Sequence, residues 1–196
     1  INLPGILGLG FAKIIPKNEL EEHIRQIRSE GFPDYTVRPE TNREVYTSII
    51  YLEPFSGRNL RAFGYDMFSE PVRRRAMEVS RDSNRAILSG KVHLVQETKT
   101  DVQAGVLMYV PTYRHNKPLS TVEERRAAIY GWVYSPYRMN DLIEGVLGPQ
   151  NLMQGERIRL EIYDGIQASE ESLLFDSRYR GPVHQRYDRT QIFSFL

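Results

Sequence analysis

The sequence contains no cysteine among its 196 residues. This absence excludes disulfides, cysteine nucleophiles and zinc sites with cysteine ligands. The sequence also lacks an Asn-x-Ser/Thr acceptor for N-glycosylation, so it gives no support for a eukaryotic secreted protein. A chain without cysteine fits an extracytoplasmic domain that does without disulfides, and it fits many cytosolic proteins as well.

An excess of charge of one sign is absent too, because 26 lysines and arginines stand against 25 aspartates and glutamates. The net charge of +1 gives no general attraction to nucleic acid or to a membrane surface. The longest apolar runs, residues 6–12 and 105–111, are far shorter than the about 20 residues that a transmembrane helix needs. No signal peptide precedes Ile1, so we expect an excised or processed piece of a longer protein.

The composition is that of an ordinary globular protein, with 40% hydrophobic and 26% charged residues. The length suits one large domain or two small ones that pack together. Helical segments stand among antiparallel strands without a regular strand–helix–strand repeat, which favours an α+β fold over a parallel α/β fold.

Three helices are predicted from capping residues and from apolar residues at helical spacing. Asn18 caps a helix that runs to about Ser29, and Ser69 caps a second helix that ends at Asn84. A short third helix, with its apolar residues between Leu142 and Leu147, follows later in the chain.

Strands are predicted from alternating apolar residues between turn-forming residues. They fall at residues 35–37, 44–51, 86–88, 91–96, 105–111, 127–134, 157–163 and 173–175. In the strand 105–111, Leu107 and Tyr109 share one face. Pro136 ends the strand before it, and we predict two closely packed domains, residues 1–135 and 136–196.

Residues with catalytic or metal-binding potential are scattered. None of His23, His93, His115 and His184 forms a close ligand pair, and no nucleophile, phosphate-loop or kinase signature occurs. We therefore expect no enzymatic activity and no metal site. Asp66 is the one candidate for a general base, and a hydrolase that uses it stays open as an alternative to a turn-forming role.

The basic run Arg73-Arg74-Arg75 raises the question of nucleic-acid binding. Adjacent arginines of a helix spread over about 200° of its circumference, so only one of them need face inward. We expect Arg74 and Arg75 to be solvated and no nucleic-acid partner.

Five segments resemble the CHASE family, the extracytoplasmic sensor domain of membrane-bound histidine kinases, diguanylate cyclases and related receptors. They are PGILGLGFA, FGYDMFSEPVRR, AILSGKVHLVQE, GVLMYVPTYR and GWVYSPYRMNDLIEGVLG, and they occur in the family's order. The resemblance implies two PAS-like α+β domains with antiparallel sheets, a membrane-distal one that binds ligand and a membrane-proximal one. It also implies a long N-terminal stalk helix, missing from this sequence, through which homodimers form.

Plant members of the family bind cytokinins, which are adenine derivatives. The resemblance implies that seven positions of this sequence correspond to residues of their ligand pocket. These positions are Met67, Arg73, Met77, Val95, Tyr109, Trp132 and Ser135. Arg73 stands where the plant receptors have an adenine-binding aspartate. A guanidinium accepts no hydrogen bond from an adenine amine, whereas it suits a carboxylate or a phosphate. The resemblance therefore implies a small-molecule ligand other than a cytokinin, and Arg73 favours an anion.

The resemblance thus implies a periplasmic or extracellular sensory domain of an inner-membrane receptor, and we expect no cofactor. Its output domain is expected to be a histidine kinase or a cyclic-di-nucleotide enzyme. An alternative is a protein-interaction module, in which the predicted pocket residues are only core and a periplasmic protein docks on the surface.

Overall fold

The structure is a computed structural model that describes residues 4–97, 102–147 and 160–177. Its helices are α1 (Leu20–Ser29), α2 (Pro71–Ser83), α3 (Val122–Ala128) and α4 (Met139–Leu147). Its strands are β1 (Leu9–Pro16), β2 (Val45–Glu53), β3 (Ile87–Leu88), β4 (Gly105–Tyr113), β5 (Ile129–Arg138), β6 (Glu161–Tyr163) and β7 (Leu173–Asp176). The predicted α+β class is confirmed for the described residues.

Five strands form a single antiparallel sheet in the order β2-β1-β5-β4-β3, and β6 and β7 form a separate antiparallel pair. The register of the central strands places Tyr134 of β5 between Gly10 of β1 and Tyr109 of β4. Because side chains of paired residues lie on the same face, the buried Tyr109 and Tyr134 rings meet under α2. The sheet order therefore brings together residues that lie more than a hundred positions apart.

The N-terminal cap of helix α2 lies one residue later than predicted, at Glu70 instead of Ser69. The side chain of Glu70 caps it by accepting hydrogen bonds from the backbone N–H groups of Val72 and Arg73, and Pro71 is its first residue. Ser69 is not the cap, because its hydroxyl donates to the carbonyl of Asp66 instead. The predicted end at Asn84 is confirmed, with Asn84 in the left-handed conformation at φ 55°.

Two of the predicted strands are wrong. Residues 35–37 form no strand, and residues 91–96 make one isolated bridge, between Val92 and Gly105. In the first case the buried Tyr35 and Val37 alternate as in a strand, but they pack on α1 from a loop. An alternating apolar pattern indicates only that every second side chain is buried. A well-packed loop can bury every second side chain without forming the hydrogen bonds of a strand.

Two further differences concern β5. The predicted strand 127–134 begins later, because a capping box between Thr121 and Glu124 starts α3 ahead of it. The strand then continues through Pro136 to Arg138, and the Pro136 carbonyl accepts a hydrogen bond from the Leu7 N–H. β5 thus crosses the boundary predicted between residues 135 and 136, and the division into two domains stays a prediction.

None of the helices in the described ranges combines the length and the apolar character that a bilayer span requires.

A second apolar cluster, which includes Ile27 of α1 and Tyr35, forms beneath α1, and the buried His23 lies against it. His23 lies 2.9 Å, through Nε2, from the hydroxyl of Tyr35, which lies 2.6 Å from the hydroxyl of Ser48. Burial, helped by the charge of Lys13, lowers the pKa of His23 to about 4. The histidine is therefore neutral in the folded protein at pH 7.

We expect acid to destabilise the protein through this histidine. In the unfolded chain His23 takes up a proton near pH 6.5, whereas in the folded chain it does so only near pH 4. Its stabilising contribution is thus present above pH 6.5 and is lost as the pH falls towards 4. The expected loss, allowing for solvent screening, is about 2 kcal/mol between pH 7 and pH 4.

Urea unfolding at several pH values checks this expectation. A His23→Leu variant should lose this part of the pH dependence, and His115→Gln, at an exposed histidine, should keep it. Parallel pH profiles for the parent and His23→Leu are incompatible with the assignment.

Candidate functional site

The structure places most of the predicted site residues around one interior, between α2 and the strands β4 and β5. Met67, Met77, Tyr109 and Trp132 belong to one buried apolar cluster, and Val95 is half-buried against it. The indole N–H of Trp132 donates to the Met77 carbonyl at 3.0 Å, and the Tyr109 hydroxyl donates to the Met67 sulfur at 3.1 Å. These contacts join α2, the turn before it and two strands.

Ser135 is the predicted site residue that lies apart. Its hydroxyl donates to the carbonyl of Gly8 at 2.9 Å. Successive strand residues face opposite sides of a sheet, so Ser135 faces away from its neighbour Tyr134 and from Trp132. The structure does not bring Ser135 into the interior that the other predicted residues share.

Arg73 is the charged member of this site, and its side chain points inward with only 4% of the residue exposed. Its Nη2 donates to the carbonyl of His93 at 2.5 Å, and its Nη1 donates to Oε2 of Glu70 at 3.3 Å. The guanidinium carbon lies 5.4 Å from the centroid of the Tyr65 ring. Of its five N–H groups, the remaining ones have no hydrogen-bond partner among the described residues.

The pairing with Glu70 limits what Arg73 can do for a ligand. Glu70 is the cap of α2, so its carboxylate is shared between two backbone N–H groups and the guanidinium. It neutralises part of the charge of Arg73 and holds the side chain in place. The arrangement can still present N–H donors to an acceptor that approaches from the interior.

The two arginines that follow Arg73 face elsewhere. Arg75 is exposed and Arg74 is half-buried, whereas Arg73 is buried. The predicted spread of the run around the helix is confirmed.

Two tyrosines complete the interior next to Arg73. Burial raises the pKa of both Tyr109 and Tyr134, and the positive charge of Arg73 acts in the opposite direction on each. Both phenols are therefore neutral at pH 7. The sequence prediction did not include Tyr134, whose hydroxyl end lies where a side chain on Gly10 would otherwise be: a Cβ there would come within 2.6 Å of the Tyr134 hydroxyl.

Asp66 has a structural role. One of its carboxylate oxygens accepts hydrogen bonds from the backbone N–H and the hydroxyl of Thr47 and from the backbone N–H of Phe68. Its other oxygen lies 3.6 Å from Nε of Arg43, and the residue is fully buried. A carboxylate held in this way is out of reach of a substrate, so the hydrolase alternative loses its candidate base. The turn-forming role is confirmed.

Metal-binding side chains do not gather elsewhere in the part of the chain that the structure describes, where no group of three or more His, Asp or Glu residues could hold an ion.

A surface groove of about 700 Å³ lies beside the interior site, between residues 91–93 and residues 164–172, which connect β6 to β7. The Lys91 backbone N–H donates to Asp164 at 2.8 Å, and the Lys91 ammonium donates to the Glu170 carbonyl at 3.2 Å. No pattern in the sequence indicates this groove, because its two sides come from distant segments. It adjoins the site through His93, whose carbonyl binds Arg73.

Comparisons with known proteins identify the family of this chain. The model of the family described as "CHASE domain" matches residues 1–175. Hybrid signal transduction histidine kinase A of Dictyostelium discoideum is 26% identical over 123 residues, which are 61% of this chain and 6% of that protein. The chain thus spans a small part of that relative. Together these matches indicate a sensory domain in signal transduction, and the chain belongs to the CHASE domain family.

Proposed function

We propose that this CHASE domain lies outside the cytoplasm and binds a small molecule in the interior between α2, β4 and β5. In this proposal the domain has a PAS-like architecture, and the parent protein is membrane-anchored with a histidine kinase or a cyclic-di-nucleotide enzyme as output. The observation that carries the proposal is the buried Arg73 guanidinium, which donates two hydrogen bonds to the described residues and lies over the Tyr65 ring, beside the apolar cluster.

The chemistry of the interior favours a ligand with an anionic group. A guanidinium removed from water gains more from an anion than an exposed one does, because the local dielectric is low. Met67, Met77, Tyr109 and Trp132 supply apolar surface for the rest of the molecule. A compact anion with a small apolar body therefore fits best.

In this proposal the signal passes from Arg73 to the β6–β7 pair through residues 91–93. Arg73 binds the His93 carbonyl, and two residues earlier Lys91 binds Asp164 at the end of β6. Gly90 lies so close to this contact that a Cβ there would come within 2.7 Å of the Asp164 carboxylate. A ligand that competes for Arg73 would shift the balance between two positions of this segment, and hence of the β6–β7 pair.

We expect Asp164→Ala to loosen the β6–β7 pair. The variant removes the carboxylate that accepts from the Lys91 backbone N–H, a charge-assisted hydrogen bond at an exposed site. Amide hydrogen exchange in β6 and β7 should become at least about fivefold faster. Glu170→Ala is the matched control, because only its backbone carbonyl binds Lys91. Unchanged exchange in Asp164→Ala contradicts the proposed route.

The sensing function itself is tested by native mass spectrometry of the purified protein and by thermal unfolding with a small-molecule library. A ligand present at 100 times its dissociation constant should add about 2.7 kcal/mol of stability. For a chain of this size that gain raises Tm by about 5–10 °C. Absence of both a bound small molecule and any shift counts against the proposal.

A protein-interaction module remains the second candidate, and a specific observation favours it. The Trp132 N–H and the Tyr109 hydroxyl already have partners inside the protein, as they would in a filled core. In that case no small molecule shifts Tm, and the parent receptor responds only when a purified protein partner is added.

A further inference from the structure

Tyr134 carries a buried hydroxyl that, unlike the polar groups of its neighbours Tyr109 and Trp132, has no hydrogen-bond partner in the part of the chain that the structure describes. The residue is 1% exposed, and the hydroxyl has no hydrogen-bond partner among the described residues. Its neighbours in the same cluster are satisfied, since the Tyr109 hydroxyl binds Met67 and the Trp132 N–H binds Met77. The Tyr134 hydroxyl thus differs from the polar groups of Tyr109 and Trp132, which have partners in the same cluster.

Such a group needs an explanation, because a buried hydroxyl that loses its water and gains no partner destabilises the fold. Phenylalanine would fill nearly the same space as Tyr134 without that cost. A second molecule that accepts a hydrogen bond from the hydroxyl would remove that cost. Gly10 supports this interpretation, because the absence of a side chain there is what allows the hydroxyl end of Tyr134 to lie on β1.

The hydroxyl lies within the electrostatic reach of Arg73. The positive charge of Arg73 favours the ionised form of both Tyr134 and Tyr109, although burial raises both pKa values and keeps the phenols neutral. The two tyrosine rings are 6.3 Å apart between centroids. Arg73 thus offers N–H donors, and Tyr134 an O–H donor, to the same interior.

We propose that Tyr134 and Arg73 together bind the carboxylate of a small organic acid. This inference rests on the proposed sensing function and specifies its ligand class. A carboxylate only accepts hydrogen bonds, so it matches two donors, whereas an amide would turn its own N–H groups towards one of them. A phosphate has more acceptor oxygens than these donors can satisfy.

The test compares acids with their amides. Acetate, pyruvate, succinate and benzoate, and their corresponding amides, are titrated calorimetrically into the parent, Tyr134→Phe and Tyr130→Phe. Tyr130 is the matched control, since it lies on the same strand and is 42% exposed. We expect at least one acid to bind the parent at least tenfold more tightly than its amide. Tyr134→Phe should weaken that acid about tenfold or more, and Tyr130→Phe should leave it unchanged.

Thermal unfolding without any probe gives a second readout. Removing a hydroxyl without a partner should raise Tm of Tyr134→Phe by about 2–4 °C, whereas removing a bonded one should lower it. A lower Tm overturns the inference, as does equal binding of the acid by the parent and Tyr134→Phe. Failure of all four acids also overturns it. The sensing proposal stands if native mass spectrometry nevertheless finds a bound molecule of another class, and it fails separately if neither a bound molecule nor any thermal shift with the library is found.

Discussion

Replacing Asp66 with alanine is expected to lower the free energy of unfolding by about 3–5 kcal/mol. The carboxylate joins β2 to the turn that precedes α2, and it accepts hydrogen bonds from Thr47 and Phe68. Alanine leaves the two Thr47 donors without this acceptor, takes one of two acceptors from the Phe68 N–H, and adds a small cavity. Because this turn positions Met67 and the start of α2, the site should be disturbed together with the fold.

The comparison with asparagine separates the carboxylate's charge from its hydrogen bonds. Burial raises the pKa of Asp66 despite the hydrogen bonds and the nearby Arg43 charge that lower it. A raised pKa means that the contribution of Asp66 to stability is greatest below its unfolded pKa and declines as the pH rises through its folded pKa. Asparagine keeps one acceptor oxygen and no charge, so we expect a loss of only about 1–2 kcal/mol.

Urea unfolding followed by circular dichroism at pH 7 gives both values. Asp34→Ala, at an exposed aspartate, serves as the control and should stay within about 0.5 kcal/mol of the parent. An Asp66→Ala variant as stable as this control would show that the hydrogen bonds to the turn contribute nothing to stability.

Local patterns were enough to predict α2 and much of its inward face. Arg73 and Met77 are four residues apart, so helical geometry alone puts them on one stripe. The choice between Ser69 and Glu70 as cap was beyond local reasoning, because both can accept from the first turn. The carbonyl of Asp66 decides which residue caps the helix, because it accepts a hydrogen bond from the Ser69 hydroxyl. That carbonyl is placed by the contact with β2.

The sequence predicts those parts of the site in which all residues lie on one strand or on one helix. Strand alternation could have shown that Trp132 and Ser135, three positions apart, face opposite sides of the sheet. The special position of Tyr134 depends on Gly10, which lies on a strand far away in the sequence and next to it in the sheet. No local pattern carries that pairing, so the residue that the structure singles out escaped prediction. The binding roles of the seven predicted residues stay predictions.

Replacing Arg73 with methionine is expected to have the largest effect on ligand binding. The variant removes the positive charge and the N–H donors from the interior, so binding of a carboxylate should weaken about 100-fold or more, corresponding to two charge-assisted hydrogen bonds. Arg73→Lys keeps the charge and loses the planar fork, and it should bind about tenfold more weakly than the parent. Calorimetric titration with the tightest of acetate, pyruvate, succinate and benzoate gives these ratios.

The free energy of unfolding of Arg73→Met should change much less than the free energy with which this variant binds the acid. Methionine leaves the His93 carbonyl and part of the Glu70 carboxylate without their partner, but it also removes a buried charge that is costly to desolvate. We expect the two effects to offset each other to within about 2 kcal/mol. Arg74→Met, the next residue on the half-buried side of α2, is the matched control and should bind the acid like the parent. If Arg73→Met binds the acid as tightly as Arg74→Met does, the guanidinium serves only to hold Glu70 and residues 89–94 together, and the anion must be sought elsewhere.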